Sequence, residues 1–281
     1  MNYRIVVDSS ANRLTDGHLI SVPLKIVTDE RQYVDDETLP LDEMLEYLSN
    51  YKGKSGTSCP NTAEYVEAFG DADWVFAITI TSNLSGSYNA ARIACEEYEE
   101  TNPGKRAYVF DSLSAGPELV LLVEKIEECM AQGMDFDQIV SAVEKYKEDA
   151  HLIFALESLT NLANNGRVSK VVAAGANILG IRIIGKAVVG RLDPTHKVRG
   201  QKKAVKTSYA IMKETGYSGG KVIIDSCYGL ETSEQLAALI REEYPEANIR
   251  YGKCGALCSF YAEKGGLMIA FEAHGENDKV R

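Results

Sequence analysis

The sequence predicts an α/β protein built around a parallel sheet, and three observations carry that prediction. Short β-branched runs alternate with longer segments of helical period, as they do in successive βα units. The 281 residues are 45% apolar and 25% charged, an ordinary soluble-globular balance with enough apolar sequence for a sizeable core. At roughly 150 residues per domain the length suggests two domains, although a single large α/β unit of this size is also common. We place the boundary at the strand near residue 155, giving an N-terminal α/β domain over 1–155 and a second α/β domain over 156–281.

The elements follow in order. Arg4 to Asp8 reads as a strand, because Ile5-Val6-Val7 is β-branched and bounded by charge. Leu19 to Val27 reads as another, and Asp42 to Leu48 as a short helix following Pro40. Thr57-Ser58-Cys59-Pro60 leads into a helix over Asn61 to Phe69. Trp74 to Ile80 is a continuous apolar run of strand length, the pattern of a buried strand. Ser87 to Glu99 then reads as a helix, Ala107 to Asp111 as a strand, and Glu118 to Gln132 as a helix that Gly133 closes. The amphipathic Phe136 to Glu148 leads into the strand His151 to Leu156. Beyond it, Val172 to Gly190 is rich in Gly, Ala, Val and Ile, and the basic stretch Lys197 to Lys206 opens a helix. Lys221 to Asp225, Thr232 to Tyr244 and Leu267 to Phe271 complete the chain as strand, helix and strand.

Thirty Lys and Arg against 41 Asp and Glu leave a net charge of −11, which offers nucleic acid no broad cationic surface. An anionic small molecule would have to be held locally, by N–H groups, hydroxyls or a placed arginine. Six cysteines are scattered through regular apolar patterns with no disulfide framework. Ile5-Val6-Val7 is too short for the apolar part of a signal peptide. The longest apolar stretch, Val171 to Ile181, falls well below the ~20 residues that span a bilayer. A cytoplasmic protein with no stable membrane insertion is expected.

Ser, Thr and Asp recur after the strands: Asp8-Ser9-Ser10, Thr79 to Ser87, Asp111 to Ser114, and Asp225-Ser226. Any one of these is an ordinary helix cap. Together, at the carboxyl ends of parallel strands, they belong to one crevice suited to a carboxylate or phosphate. The loop Ser55 to Pro60 adds adjacent hydroxyls, alone a capping signal, and the turn Asn164 to Ser169 presents Arg167, either a surface arginine after a helix end or one that forks onto a carboxylate. Other patterns fail. Gly216 to Gly220 lies before a strand, where a nucleophile elbow cannot be, and Leu48 stands where a P-loop ending in Gly53-Lys54-Ser55 needs glycine. Cys254 and Cys258 lack a second metal-ligating pair, and His18, His151, His196 and His274 lie in none of the hydroxyl loops. No catalytic residue, metal site or cofactor motif is predicted. The basic run Lys197, Arg199, Lys202, Lys203 and Lys206 is either a solvated helix face or a docking patch for an acidic partner or phosphate.

Five motifs in register resemble the DegV family of bacterial fatty-acid-binding proteins: Val6 to Ser10, Thr57 to Pro60, Ser82 to Tyr88, Gly166 to Lys170, and Lys197 to Ala204. The resemblance implies an N-terminal three-layer α/β/α domain with a parallel sheet and a C-terminal two-layer α/β domain with a mixed sheet. A long acyl chain would lie between them or within the second. It also implies that Thr57, Ser58 and Ser85 hold a carboxylate, with Gly86 and Ser87 in the same loop and Arg167 matching a functionally important arginine. Tyr261 and Asp225 stand where the family commonly has histidine, so the head-group site is less cationic here. The implied role is non-enzymatic: a carrier that presents a long-chain fatty acid to a fatty acid kinase. The runner-up, from fold relatives, is a subunit binding a small hydroxylated molecule for phosphorylation, as in dihydroxyacetone kinases. Burial of ~14 methylenes supplies roughly 11 kcal/mol before the costs of binding, so the tail would dominate affinity. The small residues among Val171 to Val189, including Ala173, Ala174, Gly175 and Ala176, suit either an apolar channel or close packing.

Overall fold

The computed structural model describes residues 2–173 and 180–274. It begins with β1 (Tyr3–Asp8), a one-turn 3-10 helix at Ser9–Ala11, and β2 (Leu19–Val22), which pairs parallel to β1. The single strand expected over Leu19 to Val27 is divided, because β3 (Lys25–Thr28) belongs to another sheet. Pro23 lies at the break; it has no N–H to give to a ladder, and its fixed φ suits a change of direction. Around β3 are two strands the sequence did not signal, β4 (Gln32–Val34) and β5 (Ser55–Ser58), both antiparallel to it, with α1 (Leu41–Asn50) between them in sequence. Ser55 to Ser58, expected as a loop, is therefore a strand. Ser-Gly-Thr-Ser contains one β-branched residue and no apolar alternation, so only its pairing with β3 makes it one.

The next elements match the sequence reading within two residues at each end: α2 (Thr62–Phe69), β6 (Trp74–Thr79), α3 (Ser87–Thr101), β7 (Arg106–Asp111), α4 (Glu118–Ala131) and α5 (Phe136–Tyr146). The sheet has the order β2-β1-β6-β7 with every pair parallel. Alternation along the strands divides its residues between two cores. Val6, Val75, Ala77 and Val109 pack with α2 and α3; Ile5, Val7, Phe76, Ile78 and Phe110 pack with α4 and α5. The N-terminal part is thus a three-layer α/β/α unit with a parallel sheet.

The second part comprises β8 (Ala150–Leu156), the short α6 (Thr160–Asn164) and α7 (Lys170–Ala173), β9 (Ile181–Val188), β10 (Arg191–Arg199), α8 (Gln201–Glu214), β11 (Val222–Ser226), α9 (Glu231–Glu243), β12 (Ile249–Lys253), α10 (Ala256–Ala262) and β13 (Leu267–Glu272). Its sheet has the order β10-β9-β8-β13-β11-β12 and is mixed, with β11–β12 parallel and the other pairs antiparallel. A division between residues 155 and 156 falls inside β8, whose neighbours β9 and β13 both come from later in the chain. Strands β9 and β10 were not foreseen. Their two-residue turn is Val189-Gly190, both with positive φ (48° and 74°), and valine gives none of the Asn-Gly or Asp-Gly signal of such turns. The basic run is split as a result: Lys197 and Arg199 lie on β10, and the helix starts only at Gln201.

Strand β8 shows how this sheet meets the first part. Ile153 and Ala155 join the core with Val205, Met212, Leu236 and Ile240 of α8 and α9. Leu152, Phe154 and Leu156 face the other way, into a cluster with Leu24 and Ile80 from the N-terminal half and Leu257 of α10. On that same face Ala150, Ile223 and Ala270 are covered by the α4 cluster. Part of one sheet face is therefore closed by a helix, and the rest borders a space between the two halves.

Candidate functional site

That space is an apolar cavity, partly open to solvent. It is narrow, since the centre of a water-sized sphere can occupy only about 70 Å³ of it. Leu152, Phe154 and Leu156 of β8, Met268 of β13, Leu257 and Ala262 of α10, and Leu24, Ile80 and Ala115 from the N-terminal half form most of its wall. Of the run Val171 to Val189, which suited either a channel or close packing, Ala173, Ile181, Ile183 and Ala187 pack in the same apolar cluster as Leu152 and Phe154 and do not line the cavity, while Ala174, Gly175 and Ala176 lie outside the described residues. The wall comes from strands, from α6 and α10, and from the loops that carry Leu24, Ile80, Leu84 and Ala115.

The polar side chains lining the cavity, apart from the Cys258 thiol, are Thr57, Ser85, Arg167 and Tyr261, all foreseen from the sequence. Contacts link Thr57 to Tyr261 and Tyr261 to Arg167, and Ser85 follows the Leu84 whose carbonyl Arg167 bonds. Thr57 is on β5 and Tyr261 on α10, and their hydroxyls lie 2.7 Å apart. One donates to the other, which leaves one hydroxyl proton of the pair for a ligand. Ser85 Oγ accepts from the Ser87 N–H at 3.2 Å, so its acceptor role is satisfied while its proton can be donated. Arg167 is tied down by Nε to the Leu84 carbonyl (3.2 Å) and Nη1 to the Asn165 carbonyl (2.6 Å), with its guanidinium 5.6 Å from the centre of the Tyr261 ring. Burial pushes the Tyr261 phenol above its ordinary range, with the Thr57 hydrogen bond and the Arg167 charge opposing. The phenol therefore stays a neutral donor at neutral pH. Two hydroxyl protons and a half-buried guanidinium at the side of an apolar cavity can hold one carboxylate.

Three other foreseen residues are placed elsewhere. Ser58 follows Thr57 on the same strand and so points to the opposite side, where it is exposed. Gly86 caps the start of α3 and is exposed; a Cβ there would come within 3.2 Å of Cys59 Sγ. Ser87 is fully buried, and its hydroxyl contacts Asp8 and Tyr65 at 2.6 Å each rather than the cavity. The strand-end carboxylates hold neighbouring segments: Asp8 accepts from Ile80 N, Asp111 from Ser82 N, and Asp225 from the Asn12 side chain. They serve the loops and not the cavity surface. Sequence reasoning missed the β8 wall, although the alternating Leu152, Phe154 and Leu156 were legible as one strand face. Cys258 also lines the cavity, and burial holds its thiol far above the usual range, so it is an inert wall group. None of the four histidines lines the cavity, so the runner-up reading lacks the anchor it needs.

A family model described as "Uncharacterised protein, DegV family" matches residues 2–274. A DegV domain-containing protein of Streptococcus pneumoniae is 38% identical over 279 residues, which cover 97% of this chain and 99% of the relative. Among solved structures, a DegV family protein from Eubacterium eligens loaded with heptadecanoic acid aligns with a TM-score of 0.94 at 38% identity, covering 97% of this chain and 100% of its own. The fatty acid kinase B3 protein of Streptococcus pneumoniae loaded with linoleic acid aligns with a TM-score of 0.95 at 38% identity, covering 98% and 100%. Among the described residues no helix is long and apolar enough to cross a membrane.

Proposed function

The chain belongs to the DegV family, and on that premise we propose that it binds one long-chain fatty acid without chemically altering it. The carboxylate is held by Thr57, Ser85, Arg167 and Tyr261, and the acyl chain fills the cavity between the two halves. The observation that carries this reading is the narrow apolar cavity whose hydroxyl and guanidinium groups form one cluster. A compact polar substrate would leave the leucine-rich wall without purpose, whereas an unbranched chain removes it from water at about 0.8 kcal/mol per methylene. Arg167 supplies the positive charge that an acidic protein otherwise lacks for a carboxylate. The likeness to the fatty acid kinase B3 protein supports a second step, in which the bound acid is presented to a fatty acid kinase in the cytoplasm. Native mass spectrometry of the purified protein with added hexadecanoic acid should show a single adduct of that mass. A protein that remains at its unliganded mass at saturating acid would refute the reading.

A further inference from the structure

The loop between β6 and α3 carries two parts of the head-group cluster: the Ser85 hydroxyl, and the Leu84 carbonyl that accepts from Arg167. Thr81 holds its interior, accepting from Leu84 N and Ser85 N at its carbonyl and from Asn83 N at its hydroxyl, while Ser82, Asn83 and Gly86 are exposed. Its two ends, however, meet at a single atom. Asp8 Oδ2 accepts from Ile80 N at 2.9 Å, just before the loop, and from Ser87 Oγ at 2.6 Å, just after it. With Ser87 donating to Asp8, the Tyr65 hydroxyl is left to donate to Ser87. The other carboxyl oxygen of Asp8 is engaged by Ser10, through its N–H and its hydroxyl. Asp8 is wholly buried at the end of β1 and does not line the cavity. A buried carboxyl is expensive unless hydrogen-bonded, and here the bonds go to the two roots of a functional loop.

We propose that Asp8 is a positioning residue for the ligand carboxylate: by holding both ends of the 80–87 segment on one oxygen it sets Ser85 and, through the Leu84 carbonyl, Arg167. Ser87, which the sequence suggested as a ligand contact, acts one step behind it as the link to Asp8. This inference rests on the fatty-acid reading of the site. An amide at position 8 cannot serve both donor pairs, because one of its two terminal atoms is itself a donor.

The test compares the affinities for hexadecanoic acid and for its methyl ester, which has the same tail and no charge. In Asp8→Asn the preference for acid over ester should fall about tenfold or more, the size of a lost charge-assisted hydrogen bond, with the ester affinity maintained. Adding Ser85→Ala to Asp8→Asn should produce little further loss, because both act on the same contact. Equal weakening of acid and ester would make Asp8 a general structural clamp and overturn the proposal, as would an unchanged ratio. If Asp8→Asn does not fold, Ser87→Ala decides: it deletes one of the two anchors, and the same ratio should fall by less; an unchanged ratio overturns the idea. Wild-type protein is measured first. If it binds neither ligand, the fatty-acid reading itself fails, an outcome separate from any result on the variants.

Discussion

At the scale of single residues, buried carboxyl groups govern how the protein should respond to pH. Asp225 is almost fully buried, and desolvation pushes its pKa up to about 7 against the lowering effects of Asn12, Arg13 and Arg250. Burial also raises Asp8 and Asp35. Each therefore binds protons more tightly in the folded chain than in the unfolded one, where an Asp titrates near about 3.9. The sign follows: the stability that Asp225 contributes is full below about pH 4 and is lost as pH rises through about 7. Over that interval the loss is on the order of 4 kcal/mol at most. Asp225→Asn keeps an acceptor for Asn12 and removes the titration. Wild-type Tm should fall relative to that of Asp225→Asn between pH 5 and pH 8, followed by thermal unfolding at fixed ionic strength. A constant difference across that range would show that Asp225 does not titrate there.

At the scale of elements, the β9–β10 hairpin joins the two halves beside the head-group cluster. Its tip rests on the loop after β6, where Asn83 donates to the Val189 carbonyl at 3.1 Å. A Cβ on Gly190 would sit 2.4 Å from Thr81 Oγ1 and 2.7 Å from Asn83 Nδ2. Gly133 has nearly the same φ (72° against 74°) and nothing within 4 Å of such a Cβ. Gly133→Ala should therefore cost only the left-handed conformation, about 1 kcal/mol. Gly190→Ala should cost more, and should weaken fatty-acid binding as well, because the displaced loop carries Ser85. Denaturant unfolding and acid binding on the two variants check this, and equal effects would mean that the tip does not dock. The hairpin also marks where the sequence stopped being legible. Parallel strands of Ile and Val announce themselves, because burial on both faces leaves a continuous apolar signature. Strands β5, β9 and β10 are held by pairing, through Ser-Gly-Thr-Ser, a Val-Gly turn and a Pro194 register shift, none of which follows propensity. The same lesson holds for the site. Thr57, Ser85, Arg167 and Tyr261, which line the cavity, are among the residues the sequence singles out, but separating Thr57 from Ser58 required knowing that the segment is a strand and which side of it faces inward.

At the scale of the whole molecule, the cavity is an interface left partly unfilled. The α4 cluster closes one region of the second sheet against the first, while Leu152, Phe154, Leu156 and Met268 on the same face line the cavity. A ligand with a long tail would complete that contact from both sides, so its effect should appear as stability of the entire chain. A ligand that binds only the folded state adds about 2.7 kcal/mol at a hundred times its Kd, and roughly 2–4 °C of Tm accompanies each kcal/mol in proteins of comparable size. A saturating acid should thus raise Tm by roughly 5–10 °C. Tail burial, not the head group, should set the trend: each methylene removed from hexadecanoic acid should weaken binding about fourfold, so dodecanoic acid at equal concentration should shift Tm far less. A Tm increment independent of chain length would place the carboxylate cluster, and not the apolar wall, in control of affinity, and would contradict the role assigned to the space between the two sheets.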